Sequence, residues 1–492
     1  MKKFTRIAIA NRGEVAVRII KACEEMGIET VLLHSEADIN TRAFRMATKT
    51  ICIGPAPTAE SYLNIEANIN GALAGGAQAI HPGFGFLSEN ADFAEAVGKA
   101  GLTFIGPSPE AIRALGDKVH CKELAKQAGL PLVPGYQGEN QDVDHLIQQA
   151  EKIGYPVIVK AAAGGGGRGM KLLKSSAEAR ELIESAQREA QSAFGSPKVF
   201  LEKYLDRAKH IEFQVFGDST GNVQHFFDRE CSVQRRHQKI IEEATSPSLT
   251  DELRRRMGEA ACAIATLGKY KGAGTVEFLL QDGEFYLLEV NTRLQVEHPV
   301  TEEVLGVDLV KMQILTAQGD YVHDVKQIRA PRGHSIECRI YAENPYQGGV
   351  PSTGLLGHVE WPEGPGRRYE YGFDANDTIT PFYDPMIAKV IVWDENRPRA
   401  IQKMIRVLKD SVVFGVHTNI PYLIEILSHK EFVMGTMTTR FIETYFSESL
   451  KEPALTDIEK TVAAGALLQL RGGATSATTT SQSPWASYWR GI

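Results

Sequence analysis

The chain has 492 residues, 43% hydrophobic and 23% charged, with a formal net charge of −7. That is the composition of a soluble globular protein too long for one core, and about three domains are expected. Mild acidity argues against general nucleic-acid binding. Six scattered Cys without a CxxC pair read as reduced thiols, and the absence of a long apolar run argues against a signal peptide or membrane span, so the expected location is the cytoplasm.

Residues 6–10 form an apolar strand, residues 11–14 a turn, residues 15–26 a helix closed by Gly27, and residues 31–33 a second buried strand. Further strands are expected at 50–53, at 79–80 before His81-Pro82-Gly83, and at 102–105 before Gly106-Pro107. This alternation predicts a parallel, doubly wound, Rossmann-like sheet over the first hundred or so residues. The first turn lacks GxGxxG, and the shape alone does not imply dinucleotide binding. His81 is expected to be a hydrogen-bonded structural residue.

Gly116-Asp117-Lys118 opens a helix over 119–128, and residues 131–135 break the chain. Residues 143–204 read as a small α/β module, with helices at 143–153 and 176–193 and strands at 157–160, 170–173 and 199–202. Between its first two strands lies Lys160-Ala161-Ala162-Ala163-Gly164-Gly165-Gly166-Gly167-Arg168-Gly169-Met170. Consecutive glycines let backbone N–H groups approach phosphate oxygens. No GK[ST] follows, so this is not a P-loop. Two strands joined by a glycine-rich flap suggest a lid over a nucleotide, with Lys160 at the hinge reaching the phosphates.

Residues 210–300 are strand-rich with one helix near 251–267. The donor-dense run 229–239 precedes an apolar strand and is expected to be a loop entering a strand edge, where it would hold oxyanions. Cys231 reads as a packed residue, because no Cys–His–acid arrangement surrounds it. Strands at 276–280 and 285–290 flank Asp282-Gly283, a hairpin signal. A two-residue turn would pair 277 with 288 and separate Glu277 from Glu289. A G1 bulge at Gly283 would pair 277 with 289 and bring the carboxylates together, and this is the predicted arrangement.

Glu289, Asn291, Arg293, Gln295 and Glu297 alternate along 289–298, so an extended chain would put all five on one side. Glu277, Glu289 and Asn291 supply hard oxygen ligands suited to Mg²⁺ or Mn²⁺. Arg293 suits an anion and Glu297 a base. Residues 334–446 mix strands at 335–341 and 387–392 with a helix at 399–408. Beyond them, 456–470 has helical spacing and 471–484 is linker-like. Trp485-Ala486-Ser487-Tyr488-Trp489 is either a disordered end or a docking peptide.

The flap, the acid–Asn strand and the phosphate lysines resemble the ATP-grasp superfamily. Ala10-Asn11-Arg12-Gly13-Glu14, the His81-Pro82-Gly83-Phe84-Gly85-Phe86-Leu87-Ser88-Glu89-Asn90 segment, the glycine flap, Arg235-Arg236-His237-Gln238-Lys239, Arg293-Leu294-Gln295-Val296-Glu297-His298-Pro299, Glu337-Cys338-Arg339-Ile340 and Tyr383-Asp384-Pro385-Met386 together resemble biotin carboxylase, in that family's order over 4–446. The resemblance implies an N-terminal domain (1–116), an ATP-grasp domain (117–330) with a lid at about 132–204, a mixed C-terminal domain (331–446), and a helix, linker and aromatic tail (447–492).

It also implies roles. ATP would meet Lys118, Lys160, Gly165, Gly166, Gly167, Glu202, Lys203, Leu205, His210, Gln234, His237, Glu277 and Glu289. Glu277, Glu289 and Asn291 would hold Mg²⁺ or Mn²⁺. Lys239, Arg293, Gln295 and the Val296 backbone would bind bicarbonate, Glu297 would be the base, and Arg339, with Phe84 nearby, would face biotin. Phe84 stands where the family often has Tyr, and Tyr346-Gln347-Gly348-Gly349-Val350 departs from the family's loop. No Ala-Met-Lys-Met motif is present, so the biotin is expected on a separate carrier protein, with carboxyltransferase subunits and a second copy of the chain as further partners. The alternatives are another ATP-grasp carboxylate–amine ligase, and a nucleotide-binding non-catalytic paralogue that would be expected to lose metal or base residues.

Overall fold

The computed structural model describes residues 3–162, 170–236, 238–320 and 330–446. Gly165, Gly166, Gly167 and His237, the helix expected at 456–470 and the aromatic segment 485–489 lie outside the described residues.

The apolar run at the N-terminus becomes the central strand of a five-stranded parallel sheet. Its order is Lys49–Gly54, Glu29–Ser35, Arg6–Ile9, Ala79–His81, Thr103–Phe104. Ile7, Ala8 and Ile9 are fully buried, as a parallel strand covered on both faces requires. Asn11 then holds the His81-to-Phe84 loop against the first turn: its Nδ2 donates to the carbonyls of Pro82 and Phe84, both at 2.7 Å. Gly83 has φ +63°, and a Cβ there would come within 2.9 Å of Asn11 Nδ2, so both the backbone conformation and the close approach favour glycine. Asn90 ends the motif by capping helix Ala91–Lys99, accepting from Phe93 N at 2.8 Å.

The small α/β module contains helices Val143–Ile153 and Ser176–Phe194 and a four-stranded sheet around its own apolar core. Asp117 caps helix Lys118–Gln127, so Lys118 sits in its first turn.

An eight-stranded antiparallel sheet carries the rest. Its order is Glu284–Asn291, Gly272–Gln281, Lys209–Gly217, Val223–Arg235, Gln238–Ala244, His334–Tyr341, Met386–Asp394, Arg367–Tyr371. The strands beyond residue 330 continue this sheet, joined through the pairing of Glu242 with Glu337. The donor-rich run 229–239 is a hairpin in mid-sheet rather than a loop at an edge, because Arg236 turns the chain at φ 51°.

Glu277 does pair with Glu289, but the bulge is not at Gly283. Asp282 (φ 52°) and Gly283 (φ 83°) make a tight two-residue turn between paired Gln281 and Glu284. The register shifts between Glu277 and Phe278, which leaves Leu288 as the extra residue and brings Glu289 opposite Glu277. No helix among the described residues is long and apolar enough to cross a membrane.

Candidate active site

Directly opposed residues form a row across four strands: Glu289, Glu277, Glu212 and Arg229. Three adjacent acids would repel each other, and cations decide the outcome. Arg229 is fully buried, donating to Glu212, to Gln214 and Thr301 (2.8 and 2.9 Å) and to Thr275 (3.0 Å). Lys239, from the neighbouring hairpin strand, brings its ammonium to Glu212, to Glu277 at 2.8 Å and to Glu297 at 2.8 Å. Burial disfavours its charge, but these carboxylates outweigh that and hold Lys239 well above its ordinary value.

Glu277 is also buried, yet Lys239 and His210 (2.9 Å) hold its carboxyl below the usual range. Gln234 Nε2 lies 2.7 Å from His210 Nδ1, which sets the ring whose Nε2 lies 2.9 Å from Glu277. Glu289 differs. Its carboxylate has no hydrogen-bond or ion-pair partner among the described residues, and burial together with Glu277 pushes its pKa up.

The strand ends at Asn291, and residues 292–297 turn into helix His298–Leu305. The strict alternation of five polar groups therefore stops at Asn291, and local contacts arrange the rest. Glu89, from the N-terminal motif, accepts from Thr292 N at 3.0 Å and from Arg293 Nε at 2.8 Å. Arg293 donates onward to Gln295 Oε1 (2.8 Å) and Asn291 Oδ1 (3.0 Å). Asn291 Nδ2 donates to Glu277 at 2.9 Å. Arg339 donates to Glu242 at 2.6 Å and to Glu297 at 3.1 Å. Burial opposes ionisation of Glu297, but Lys239 and Arg339 hold its carboxyl well below the usual range.

Of these groups, Lys239, Glu277, Glu289, Asn291, Arg293, Gln295 and Arg339 line a cavity of about 1080 Å³ whose other wall is the small α/β module. There Glu202 binds Lys122 at 2.5 Å and also Lys160; against burial, the two ammoniums lower its pKa to about 2. Lys203 and Leu205 also line the cavity, but the Lys203 ammonium is turned to the carbonyls of Gly154 and Tyr155 (2.7 and 2.9 Å). Lys118 lines the cavity without an ion pair among the described residues. Phe84 lines it too, with its ring centroid 5.9 Å from Lys389 Nζ. His81 is fully buried, its ring accepting from Gly83 N at 3.1 Å, and burial lowers its pKa to about 3. Cys231 is fully buried, and burial raises its thiol well above the usual value.

Sequence reasoning passed over Lys122, Glu212, Glu242, Glu89 and Lys389. Two of these had a signal: Lys122 follows Lys118 at i+4 on one helix face, and Lys389 interrupts the apolar run Ile387-Ala388-Lys389-Val390-Ile391-Val392. Glu212 and Glu242 have none without the register.

Comparison with known proteins agrees with this arrangement. The family described as "Biotin carboxylase, N-terminal domain" matches residues 3–112, "Carbamoyl-phosphate synthase L chain, ATP binding domain" matches 117–325, and "Biotin carboxylase C-terminal domain" matches 337–444. The chain is 48% identical over 442 residues to a pyruvate carboxylase subunit of Methanothermobacter thermautotrophicus, covering 90% of each chain. It is also 48% identical over 442 residues to a biotin carboxylase of Nostoc sp., covering 90% of this chain and 99% of that one. The biotin carboxylase domain dimer of Hydrogenobacter thermophilus 2-oxoglutarate carboxylase, solved with MgADP, ADP and bicarbonate, superposes with a TM-score of 0.85 at 44% identity, covering 90% of this chain and 98% of that one. With three family models in order, and near-half identity over nine-tenths of the chain, this protein belongs to the biotin carboxylase family of ATP-grasp enzymes.

Proposed function

We propose that the chain carboxylates biotin with bicarbonate and ATP, and that the observation carrying this reading is the convergence of Lys239, Arg293, Gln295 and Arg339 on a loop whose end bears Glu297. Bicarbonate would lie against Lys239, Arg293, Gln295 and the Val296 backbone. Glu297 takes its proton, and the bicarbonate oxygen attacks the γ-phosphorus as the bond to the ADP oxygen breaks. The carboxyphosphate so formed yields CO₂ and phosphate. Phosphate takes the N1′ proton of biotin, Arg339 stabilises the enolate oxygen beside Phe84, and N1′ attacks CO₂.

Lys118, Lys160, the glycines 165–167 and His237 would hold the phosphates. Glu202, Lys203 and Leu205 would lie at the adenine end, and His210 and Gln234 near the ribose. For phosphates to reach Lys160, it must leave Glu202, so nucleotide binding and release of the lid lysine are one event in this reading.

The donor set fits a hard divalent cation: Glu289 is a cavity-facing carboxylate with no ion pair or hydrogen bond among the described residues, beside Glu277 and the Asn291 amide oxygen. Glu289 would hold Mg²⁺ or Mn²⁺ directly. Glu277 and Asn291 would join it by giving up part of their contacts to Lys239 and Arg293. Bound there, the ion supplies neutralisation of charge on the transferred phosphoryl group.

The same reading places biotin on a carrier protein, carboxyltransferase subunits and a second copy of the chain as partners, and the work in the cytoplasm. It divides the chain at 1–116, 117–330 with its lid at 132–204, 331–446 and 447–492. The pyruvate carboxylase relative and the neighbour solved as a dimer support the partners. All of Glu277, Glu289, Asn291 and Glu297 are in place, which disfavours a non-catalytic paralogue. The test is ADP release with bicarbonate and free biotin or a biotinylated carrier. Stimulation by both substrates together is expected, and ADP release indifferent to biotin would overturn the assignment.

A further inference from the structure

Lys389 is fully buried in a strand whose other residues from Met386 to Trp393 are apolar, a costly place for an ammonium. Its Nζ donates to the carbonyl of Val296 at 2.7 Å and lies 3.3 Å from Glu14 Oε2. One residue earlier in the loop, the carbonyl of Gln295 meets His298 Nδ1 at 2.8 Å. A carbonyl oxygen only accepts, so Nδ1 carries the proton and donates. Burial and the nearby Lys389 keep the fully buried His298 neutral, which leaves its Nε2 without a hydrogen. Nε2 has no hydrogen-bond partner among the described residues, and the nearest carboxylate, of Glu302, is 3.9 Å away.

Two consecutive peptide units are therefore gripped from behind. The Gln295 carbonyl belongs to the same peptide unit as the Val296 N–H, and the Val296 carbonyl to the same unit as the Glu297 N–H. Lys389 is also the direct cross-strand partner of Arg339, whose guanidinium holds the Glu297 carboxylate at 3.1 Å. Neighbouring strands thus send paired cations to the loop, one to its backbone and one to its terminal acid.

We propose that His298 and Lys389 are positioning residues for bicarbonate, fixing the peptide units on either side of Val296 so that its backbone N–H is presented beside Arg293 and Lys239. The proposal rests on the bicarbonate site assigned above. Neither residue touches the substrate in this scheme; each acts through a carbonyl. Loss of either donor loosens a peptide unit, the Gln295 carbonyl keeping only the long 3.4 Å bond from His298 N, and a displacement of about 1 Å at a reacting group is worth up to about 100-fold. Support of this kind typically carries about 10- to 100-fold in affinity where it has been measured for metal sites.

The experiment uses the full chain with free biotin and compares His298→Phe, His298→Asn and Lys389→Met. Phe keeps a planar ring and removes the donor, whereas Asn restores an N–H near the Nδ1 position. Met replaces the Lys stem without its charge. His298→Phe and Lys389→Met are expected to raise the KM for bicarbonate about 10-fold or more, with the KM for ATP unchanged, and His298→Asn to recover most of the loss. Equal effects of Phe and Asn, a parallel rise in the KM for ATP, or a bicarbonate KM within twofold of the parent would overturn the proposal. Should Lys389→Met fail to fold, the His298 pair decides alone. A parent enzyme whose ADP release ignores bicarbonate would instead overturn the function assigned above, so the two failures are distinct.

Discussion

Replacing Lys239 by Met tests the electrostatic centre of the site. The ammonium is shared by Glu212, Glu277 and Glu297, each fully or nearly fully buried. After its removal each acid keeps one ion-pair partner, Arg229 for Glu212, His210 for Glu277 and Arg339 for Glu297, and Glu277 keeps the amides of Asn291 and Gln295. Arg229 and Arg339 are then the permanent cations left for these three carboxylates, and Arg339 also holds Glu242, so buried negative charge is left unbalanced. Breaking a buried pair in this way costs about 3–5 kcal/mol. The cost depends on pH. In the parent, Glu277 and Glu297 are held below the ordinary carboxylate range, so their contribution is present above about pH 4.3 and is lost on acidification. In the variant the same acids shift upward, and stability falls as pH rises through the raised values. The gap in Tm between parent and variant should therefore widen to several degrees by pH 7.5 and narrow only as pH falls well below 4, through the depressed values of the parent. Bicarbonate-dependent ADP release should fall by about 100-fold or more, the loss typical of one preorganised donor. A Tm gap independent of pH would refute the reasoning, because it would show that Lys239 contributes packing and not charge.

Glu297→Gln keeps the shape of the proposed base and removes its proton affinity. Bicarbonate-dependent turnover should drop about 10²- to 10⁴-fold with binding of a fluorescent nucleotide intact, and retained turnover would reject Glu297 as base. Glu289 is held above the ordinary carboxyl range by burial and Glu277, so its contribution is present at low pH and lost as pH rises through the raised value. Glu289→Gln should accordingly raise Tm at pH 7.5 in the presence of chelator and abolish the added stability given by Mg²⁺; a metal-dependent rise in Tm equal to the parent's would remove Glu289 from the metal site. Glu202 moves the other way, from 4.5 to about 2, equivalent to about 3 kcal/mol. Glu202→Gln should lower Tm at pH 7, and that deficit should shrink as pH falls from 4.5 towards 2; a deficit that persists undiminished at pH 3 would contradict the Lys122–Glu202–Lys160 pairing.

The parallel sheet, the lid helices and helix Asp251–Leu267 were legible because their apolar period and caps are local. The pairing of Glu277 with Glu289 was legible too, but the bulge that achieves it was not. A turn such as Asp282-Gly283 advertises itself in its residue types, whereas an extra residue at Leu288 depends on how the hairpin packs. The donor run 229–239 was misread as an edge loop because a buried Arg is indistinguishable in sequence from a solvated one. Only the sheet order shows that Arg229 stands opposite Glu212. The end of the strand at Asn291 is held from about 200 residues away by Glu89, which accepts from Thr292 N and Arg293 Nε. Spacing reports such contacts only when both partners lie on one element.

The same charges proposed to hold bicarbonate also silence the proposed base. Glu297 is held ionised, well below the usual range, by Lys239 and Arg339, and a carboxylate so placed has little affinity for a proton. Bicarbonate arriving as an anion competes with Glu297 for Lys239. Each step by which it takes over that ammonium removes part of what depresses the carboxyl, and Glu297 gains basicity as the substrate settles. Biotin binding at Arg339 would loosen the other cation in the same way. Base strength in this site is therefore coupled to occupancy through two shared cations, and proton abstraction is poorest when the site is empty. The pH profile of the parent should show that coupling: the acidic limb of kcat/KM for bicarbonate, governed by the free enzyme, should lie below the acidic limb of kcat. Coincident limbs would mean that Glu297 keeps both of its ion pairs throughout the reaction.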